Sequence, residues 1–438
     1  MVHDAMNASA DQTTRPRGQV ITSLRNAASL IAAVLIMQVG QGLLNVQIPL
    51  AFEYDGFSRT AFGFVAAIYS AGFMFGAWYG PVLLARVGHI RVFSACAAFF
   101  AVATMGLHWA HGLVAWIVLR LIAGASVAMM FAAVESWMSG AIAKSERGSV
   151  MGFYQVGTKA ALAIGPFFAI GYAQATAEPW MIAAAAIALA LVPICFTSKS
   201  EPPPPASQTL AIRSLFKTAP AAVIACFGAG IINSGVMAFA PIYAVAHYGA
   251  DAARGFYAAA WIGSLILQWP AGRYSDFVDR RIVIAALSGM GAVCAVVLAI
   301  FGHIAPLWFA SLMFAFWGAG SLCYYGVAVA HMADRAEPSR IAEATSGLLF
   351  VWAAGAIVGP AIQGVVGDVI GPEGVFWFAA VTGGALAAAM FWRSGARKGP
   401  EAKEHFSVNQ ATSVAAAESA FGPDEAADSE ASNGEARR

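Results

Sequence analysis

Gly40-Gln41-Gly42-Leu43-Leu44-Asn45 lies in the first long apolar run of the chain, and Gly228-Ala229-Gly230-Ile231-Ile232-Asn233 repeats its pattern at an offset of 188 residues. Working outward from this pair, the loop holding Arg86-Val87-Gly88 and Arg91 corresponds to the segment Asp276 to Arg281 at an offset of 191. Gly124 corresponds to Gly318, and Gly165-Pro166 to Gly359-Pro360, both at 194. The offsets rise in chain order, as small loop insertions produce, so the chain reads as one unit duplicated.

Composition sets the class of that unit. Of 438 residues, 59% are hydrophobic and 11% are charged, whereas soluble domains carry roughly a quarter charged residues. This argues against a water-soluble enzyme. Much of the charge sits in residues 1–26 and 393–438, and the 366 residues between them form a succession of long apolar runs. A bilayer core about 30 Å thick needs about 20 apolar helical residues. Twelve spans fit, near 27–51, 61–84, 90–110, 113–138, 149–172, 179–197, 219–246, 255–272, 282–303, 306–331, 343–366 and 374–392. The expected fold is an all-α polytopic membrane protein of twelve transmembrane helices, arranged as two pseudo-symmetric six-helix bundles. A net charge of +1 leaves no basic excess for a phosphate backbone, so nucleic acid is not an expected partner. Cys96, Cys195, Cys226, Cys294 and Cys323 fall in apolar runs, with no CxxC pair and no histidine at metal spacing. They read as packing thiols, and no cofactor or metal is implied.

Loop charge orients the spans, because Lys and Arg are retained on the cytoplasmic side during insertion. One set of alternate loops and both tails hold 21 of the 25 cations, the other loops hold Arg59 and Arg254, and Arg120 and Lys159 fall inside spans. Both termini are therefore expected in the cytoplasm of a bacterial inner-membrane protein. The expected organisation is a cytoplasmic tail (1–26), a first bundle (27–197), a linker (198–218) with Pro202 to Pro205, a second bundle (219–392) and a disordered tail (393–438). From Gly399 onward, eight acidic residues and few large apolar ones leave too little surface to bury.

Gly272-Arg273-Tyr274-Ser275-Asp276, followed by Arg280 and Arg281, resembles the cytoplasmic loop motif G-x-x-x-D-R-x-G-x-R-R of the major facilitator superfamily, with Phe277 and Asp279 in place of Arg and Gly. In the first half, Pro81 and Ala85 replace the motif's Gly and Asp, leaving Arg86, Gly88 and Arg91. Arg120-Leu121-Ile122-Ala123-Gly124 is similar to the family's span-four motif R-x-x-x-G, and Gly165-Pro166 with Gly171 partly matches its span-five Gly-Pro motif, often associated with exporters. With Val134-Glu135-Ser136 and Gln268-Trp269-Pro270-Ala271-Gly272, the chain resembles most the YcaD-like bacterial branch, whose members have no agreed substrate. The resemblance covers residues 27–392 and implies a transporter driven by protons, with Arg86, Gly88, Arg91, Gly272, Asp276, Arg280 and Arg281 gating one access state.

Small residues such as Gly355, Gly359 and Gly364 read first as helix packing, since lipid offers no hydrophobic drive for association. Asn45 and Asn233 hold equivalent positions in spans one and seven. Either they bond between helices or they line a cavity with Gln38 and Gln41. Tyr69, Tyr154, Gln155, Trp261, Tyr324 and Trp352 are aromatic and polar candidates for the same cavity, with core packing as the alternative. Arg120 and Lys159 each cost about 2.5 to 3.5 kcal/mol inside a bilayer, which calls for a partner or a water-filled cavity. Glu135 is on the same span as Arg120 but about 22 Å along it, too far to pair within the helix. It reads as an interfacial charge or as a proton carrier. The position equivalent to Arg120 in the second half is Phe314, so the cation is not needed to pack the repeat.

No GxxxxGK[ST] occurs, so gradients rather than ATP must supply energy. The expected function is a secondary transporter with a midplane site between two rocking bundles, leaning toward export. Glu135 or a neutralisable Lys159 would carry the coupling proton. Two membrane cations against one carboxylate favour an anionic or zwitterionic small solute, handled by a monomer in the lipid bilayer. The rival from another class is a transporter-like membrane sensor signalling through its cytoplasmic tail. No Ser/His/Asp, metal or paired-carboxylate set within the spans supports an enzyme.

Overall fold

A computed structural model describes residues 17–142, 144–168, 176–197, 212–337 and 340–396. The expected disordered tail beyond residue 396, the Pro202 to Pro205 linker, Gly171 and the first 16 residues lie outside the described residues. Within them the chain is helical, with no strand. The long helices are α1 (Arg17–Tyr54), α2 (Arg59–Val87), α3 (His89–His108), α4 (Leu113–Ala141), α5 (Lys144–Ile164), α6 (Glu178–Cys195), α7 (Pro220–Tyr248), α8 (Ala252–Ser275), α9 (Arg280–Phe301), α10 (Leu307–Ala333), α11 (Ile341–Ile370) and α12 (Gly374–Ala396). α1 begins and α12 ends on one face of the molecule, here the terminal end; the opposite face is the distal end.

Ten of these helices are long and apolar enough to cross a membrane. The other two, α5 and α8, are more polar for a visible reason. Gln155, Thr158 and Lys159 on α5 and Ser264 and Gln268 on α8 are all buried, so their polarity points inward. α5 also stops earlier than its apolar pattern, at Ile164, and continues as a tight 3-10 turn over Gly165–Phe168. Pro166 lacks the N–H that would continue the helical ladder. In α10 the helix breaks at Leu322 and Cys323, between Ser321 and Tyr324, which resets the phase of the face it presents.

The repeat is visible in how helices touch. A β-carbon on Gly124 of α4 would lie 2.0 Å from the Tyr69 carbonyl of α2, and one on the equivalent Gly318 of α10 would lie 2.1 Å from the Ala260 carbonyl of α8. Likewise Gly42 of α1 abuts the Leu162 carbonyl of α5, and Gly230 of α7 abuts the Trp352 carbonyl of α11. Backbones in direct contact gain dispersion and dipole interactions that larger side chains would forbid.

The two sets of six helices meet most closely through α2 and α11 at the distal end. There Gly63 packs on the Pro360 carbonyl and Gly364 on that of Arg59. The Asp368 carboxylate accepts hydrogen bonds from the backbone N–H groups of Arg59 and Thr60, both at 2.9 Å, at the start of α2. Arg59 in turn donates to the Gly367 carbonyl at 3.1 Å and pairs with Glu53 at 3.1 Å. Phe62 and Phe239 close the same end, with ring centroids 5.0 Å apart.

Candidate functional site

Between the two sets of helices lies a cavity of about 260 Å³. α1 lines it with Gln38, Gln41 and Asn45, α2 with Tyr69, α4 with Arg120, α5 with Lys159, α7 with Asn233, α8 with Tyr257 and Trp261, α10 with Tyr325 and α11 with Trp352. Of the twelve residues considered for this cavity, nine therefore reach it. Tyr324 does not: it is fully buried and absent from the cavity wall, where its neighbour Tyr325 stands. The break in α10 explains the shift by one residue, since counting turns through a continuous helix misplaces everything beyond the break.

Asn45 resolves its two readings by doing both. Gln41 Nε2 donates to Asn45 Oδ1 at 2.8 Å, one turn away on α1, and Asn45 Nδ2 donates to the Tyr257 hydroxyl on α8 at 2.8 Å. This chain crosses between the halves while lining the cavity. Asn233 lines the cavity with its Oδ1 buried and without a protein partner, as are Gln38 Oε1 and Gln41 Oε1. Buried polar atoms are normally satisfied, so three acceptors stand ready for a donor-bearing solute or water.

The two cations differ. Arg120 lies with its guanidinium carbon 4.0 Å from the centre of the Tyr69 ring, a cation–π contact worth about 0.5 to 2 kcal/mol. Its Nε has no protein hydrogen-bond partner. Lys159 donates from Nζ to Ser264 Oγ at 2.8 Å and to Gln268 Oε1, both on α8. It thus ties α5 in the first half to α8 in the second. The described wall of the cavity contains no Asp or Glu, so its fixed charge is cationic.

Glu135 is placed elsewhere. It is fully buried on α4 and accepts a hydrogen bond of 2.7 Å from the Tyr154 hydroxyl of α5, away from the cavity wall. Gln155 also lies off the wall, buried on α5.

At the terminal end the expected gating residues form two unequal sets. In the second half Arg280 holds Asp334 at 2.8 and 3.1 Å, Ser275 Oγ at 3.0 Å and Asp276 at 3.3 Å. Ser275 donates back to the Gly272 carbonyl at 2.6 Å. Arg281 pairs with Asp279 at 2.6 Å. Burial favours the protonated Asp279 carboxyl, yet the bonds from Arg281 outweigh it and hold this group below the usual carboxylate range. All these partners belong to α8, α9 and the loop between them, apart from Asp334, which caps the end of α10. In the first half Arg86 and Arg91 are exposed. Gly88 alone links α2 to α3, at φ 86°, a conformation that favours glycine.

Sequence reasoning missed Tyr257, Ser264 and Tyr325 as site residues, and the Arg59–Asp368 contact between halves. Hydroxyls and aromatics in apolar helices carry little signal on their own. The polar spacing Ser264 to Gln268 on α8, one turn apart, was the legible clue to a partner for a buried cation.

Twelve long helices in two sets of six, packed alike around a central polar cavity, make a membrane transporter. The chain belongs to the Major Facilitator Superfamily, whose profile matches residues 30–321 and 256–422. It is 25% identical over 353 residues to the uncharacterized MFS-type transporter YcaD of Salmonella typhimurium, covering 79% of this chain and 90% of that protein. Among solved structures it resembles a bacterial homologue of the human lysosomal transporter Spinster, in an inward-facing and occupied conformation, with a TM-score of 0.67 and 14% identity over 87% of this chain and 98% of that one. It also resembles the nucleoside transporter NupG, with a TM-score of 0.65 and 14% identity over 84% of this chain and 98% of that one. These two likenesses speak for the fold alone. The protein is thus a multi-pass membrane transporter of a family that carries small solutes.

Proposed function

We propose that the protein is a secondary active transporter moving an anionic or zwitterionic small solute across the bacterial inner membrane by alternating access. One observation carries the choice of solute: the cavity presents Arg120 and Lys159, three unmatched acceptors, and no carboxylate on its described wall. A carboxylate or similar anion meets the cations, and amino or hydroxyl groups meet Gln38, Gln41 and Asn233. The aromatic rings of Tyr69, Tyr325 and Trp352 supply the apolar wall.

The two halves, 27–197 and 219–392, rock about this site, with both termini in the cytoplasm. On that orientation the ties through Arg59, Asp368 and Phe62 seal the periplasmic end, and solute enters from the cytoplasm. Lys159 connects occupancy to movement. An anion that draws its ammonium away from Ser264 and Gln268 loosens α5 from α8. A proton leaving the same ammonium does likewise, which makes Lys159 the better-placed coupling residue; Glu135 lies away from the cavity, bonded to Tyr154. Proton drive rests on family membership, and the export direction on Gly165-Pro166.

The test is a thermal-shift screen of metabolites on the purified protein, followed by transport of the hits in proteoliposomes under an imposed pH gradient. Carboxylate-bearing hits whose flux follows the gradient are expected. Preferential transport of purely cationic solutes would overturn the reading of the cavity charge.

A further inference from the structure

A second cavity, of about 210 Å³, opens at the terminal end where α7 and α9 begin and α10 and α12 end. Arg281, Arg335 and Arg393 line it together with His331, and none of its described lining residues is a carboxylate. Arg281 pairs with Asp279. Arg281 also donates to the Arg393 carbonyl at 2.6 Å, which fixes the end of α12 against the start of α9 and gives the cavity a built wall. Pro220 and Ala221 complete it. They open a helix of 29 residues whose N-cap, Ala219, provides no side-chain hydrogen bond, so the positive end of the α7 dipole adds to the field.

The rim is apolar where the walls are basic. Trp392 lines the cavity and is 71% exposed, as is Phe391 beside it. Tryptophan at the end of a membrane helix sits at headgroup depth, with its ring against the acyl chains. A basic cavity with an aromatic rim at that depth suits an amphiphile whose head is an anion.

We propose that this cavity holds the phosphoryl group of an anionic phospholipid, with Arg335 and Arg393 gripping the phosphate and the acyl chains passing along Trp392. Guanidinium groups match phosphate oxygens with two parallel hydrogen bonds, and basic pockets between transmembrane helices are suited to such headgroups. The lipid clamps α7, α9, α10 and α12 together at one end of the second half. The site depends only on the terminal end lying at the bilayer surface, so its failure leaves the solute reading untouched.

Inorganic phosphate shares the head chemistry but lacks the chains, and one experiment separates the two. The full-length protein is placed in nanodiscs of phosphatidylcholine alone, or with increasing phosphatidylglycerol, or in phosphatidylcholine discs with inorganic phosphate in the buffer. Thermal denaturation is followed, and retained lipid is counted by native mass spectrometry. Phosphatidylglycerol is expected to raise the denaturation midpoint. Arg335→Gln and Arg393→Gln should each weaken its apparent affinity about fivefold, while Arg335→Lys keeps more of it. If one glutamine variant does not fold, the other and the lipid count still decide. Equal responses of wild type and variants to phosphatidylglycerol overturn the site. Equal stabilisation by inorganic phosphate overturns the lipid as its occupant.

Discussion

The two halves of this protein pack alike and spend their charges differently. In the first half the cations sit mid-membrane, with Arg120 over Tyr69 and Lys159 bonded across to α8. At the equivalent positions the second half has Phe314, stacked 4.4 Å from Phe256, and Ala353, which is buried. At the terminal end the order reverses. The second half straps α9 to α10 with a buried ion pair, Arg280 with Asp334, whereas the first half turns at Gly88 and ties α3 to α4 by an uncharged contact of 3.3 Å between His89 Nε2 and Ser136 Oγ. Duplication therefore preserved the packing glycines and freed the charged positions to diverge: cations on the cavity wall in one copy, a buried ion pair at the terminal end in the other.

The largest effect tests the strap. Arg280 is fully buried with Asp334, and removing one partner of such a pair leaves an uncompensated charge at a cost of about 3 to 5 kcal/mol. Arg280→Met should sharply lower the denaturation midpoint and membrane yield, and Arg280→Met with Asp334→Leu should recover much of the loss. Arg91→Met, exposed on the first turn of α3 in the first half, should change stability by no more than about 0.5 kcal/mol. If the two single variants behave alike, the division of labour between halves is wrong.

Next come the two membrane cations. Arg120→Gln and Lys159→Gln should each weaken solute binding about tenfold or more, the worth of a charge-assisted hydrogen bond of about 1.5 to 3 kcal/mol. Folding and insertion should be unimpaired, because each variant removes a costly membrane charge. Arg120→Lys should bind poorly as well if a planar fork grips the solute. Isothermal titration with a screened solute measures all three; wild-type affinity throughout would make the cations structural.

The symmetric part of the comparison can be broken with two glycines. Gly124→Val and Gly318→Val each drive a β-carbon to within about 2 Å of a carbonyl oxygen on the neighbouring helix. The helices must separate, at about 1 to 3 kcal/mol or more. The two losses should be similar in thermal denaturation. A large loss in one half only would mean that the repeat is no longer a packing repeat.

What the sequence disclosed follows the same line. Apolar runs and glycine offsets are dense, periodic signals, and the twelve helices fall within a few residues of their expected places except where α1 begins ten residues early, at Arg17, and where Pro166 ends α5 early. Gln38, Asn45, Arg120 and Lys159 stood out because a bilayer makes polar residues expensive, and the structure places them on one cavity. Tyr325 was missed because the break in α10 has no marker in Leu322-Cys323. The Asp368 contact was missed because it joins residues 309 apart across two loops, a pairing that no local pattern encodes. Glu135 looked exposed to function because it is charged; its bond to Tyr154 came only with the packing of α4 on α5.

The smallest effect concerns Asp276, the one acid that the second half kept from the loop motif and the first half replaced with Ala85. Its contact with Arg280 is 3.3 Å, longer than either bond to Asp334, and Arg280 retains Ser275 as well. Asp276→Ala therefore removes one of several partners rather than stranding a charge, at an expected cost of about 1 kcal/mol. Its influence on transport should be clearer than its influence on stability. On the proposal that the α8–α9 turn moves as a rigid piece between access states, loss of one of its internal bonds should slow the cycle by severalfold while solute affinity stays unchanged. Turnover in proteoliposomes, compared with binding by titration, separates those quantities. Unchanged turnover would show that the strap works through Asp334 alone, and that this half too has begun to lose the motif that the other half has already shed.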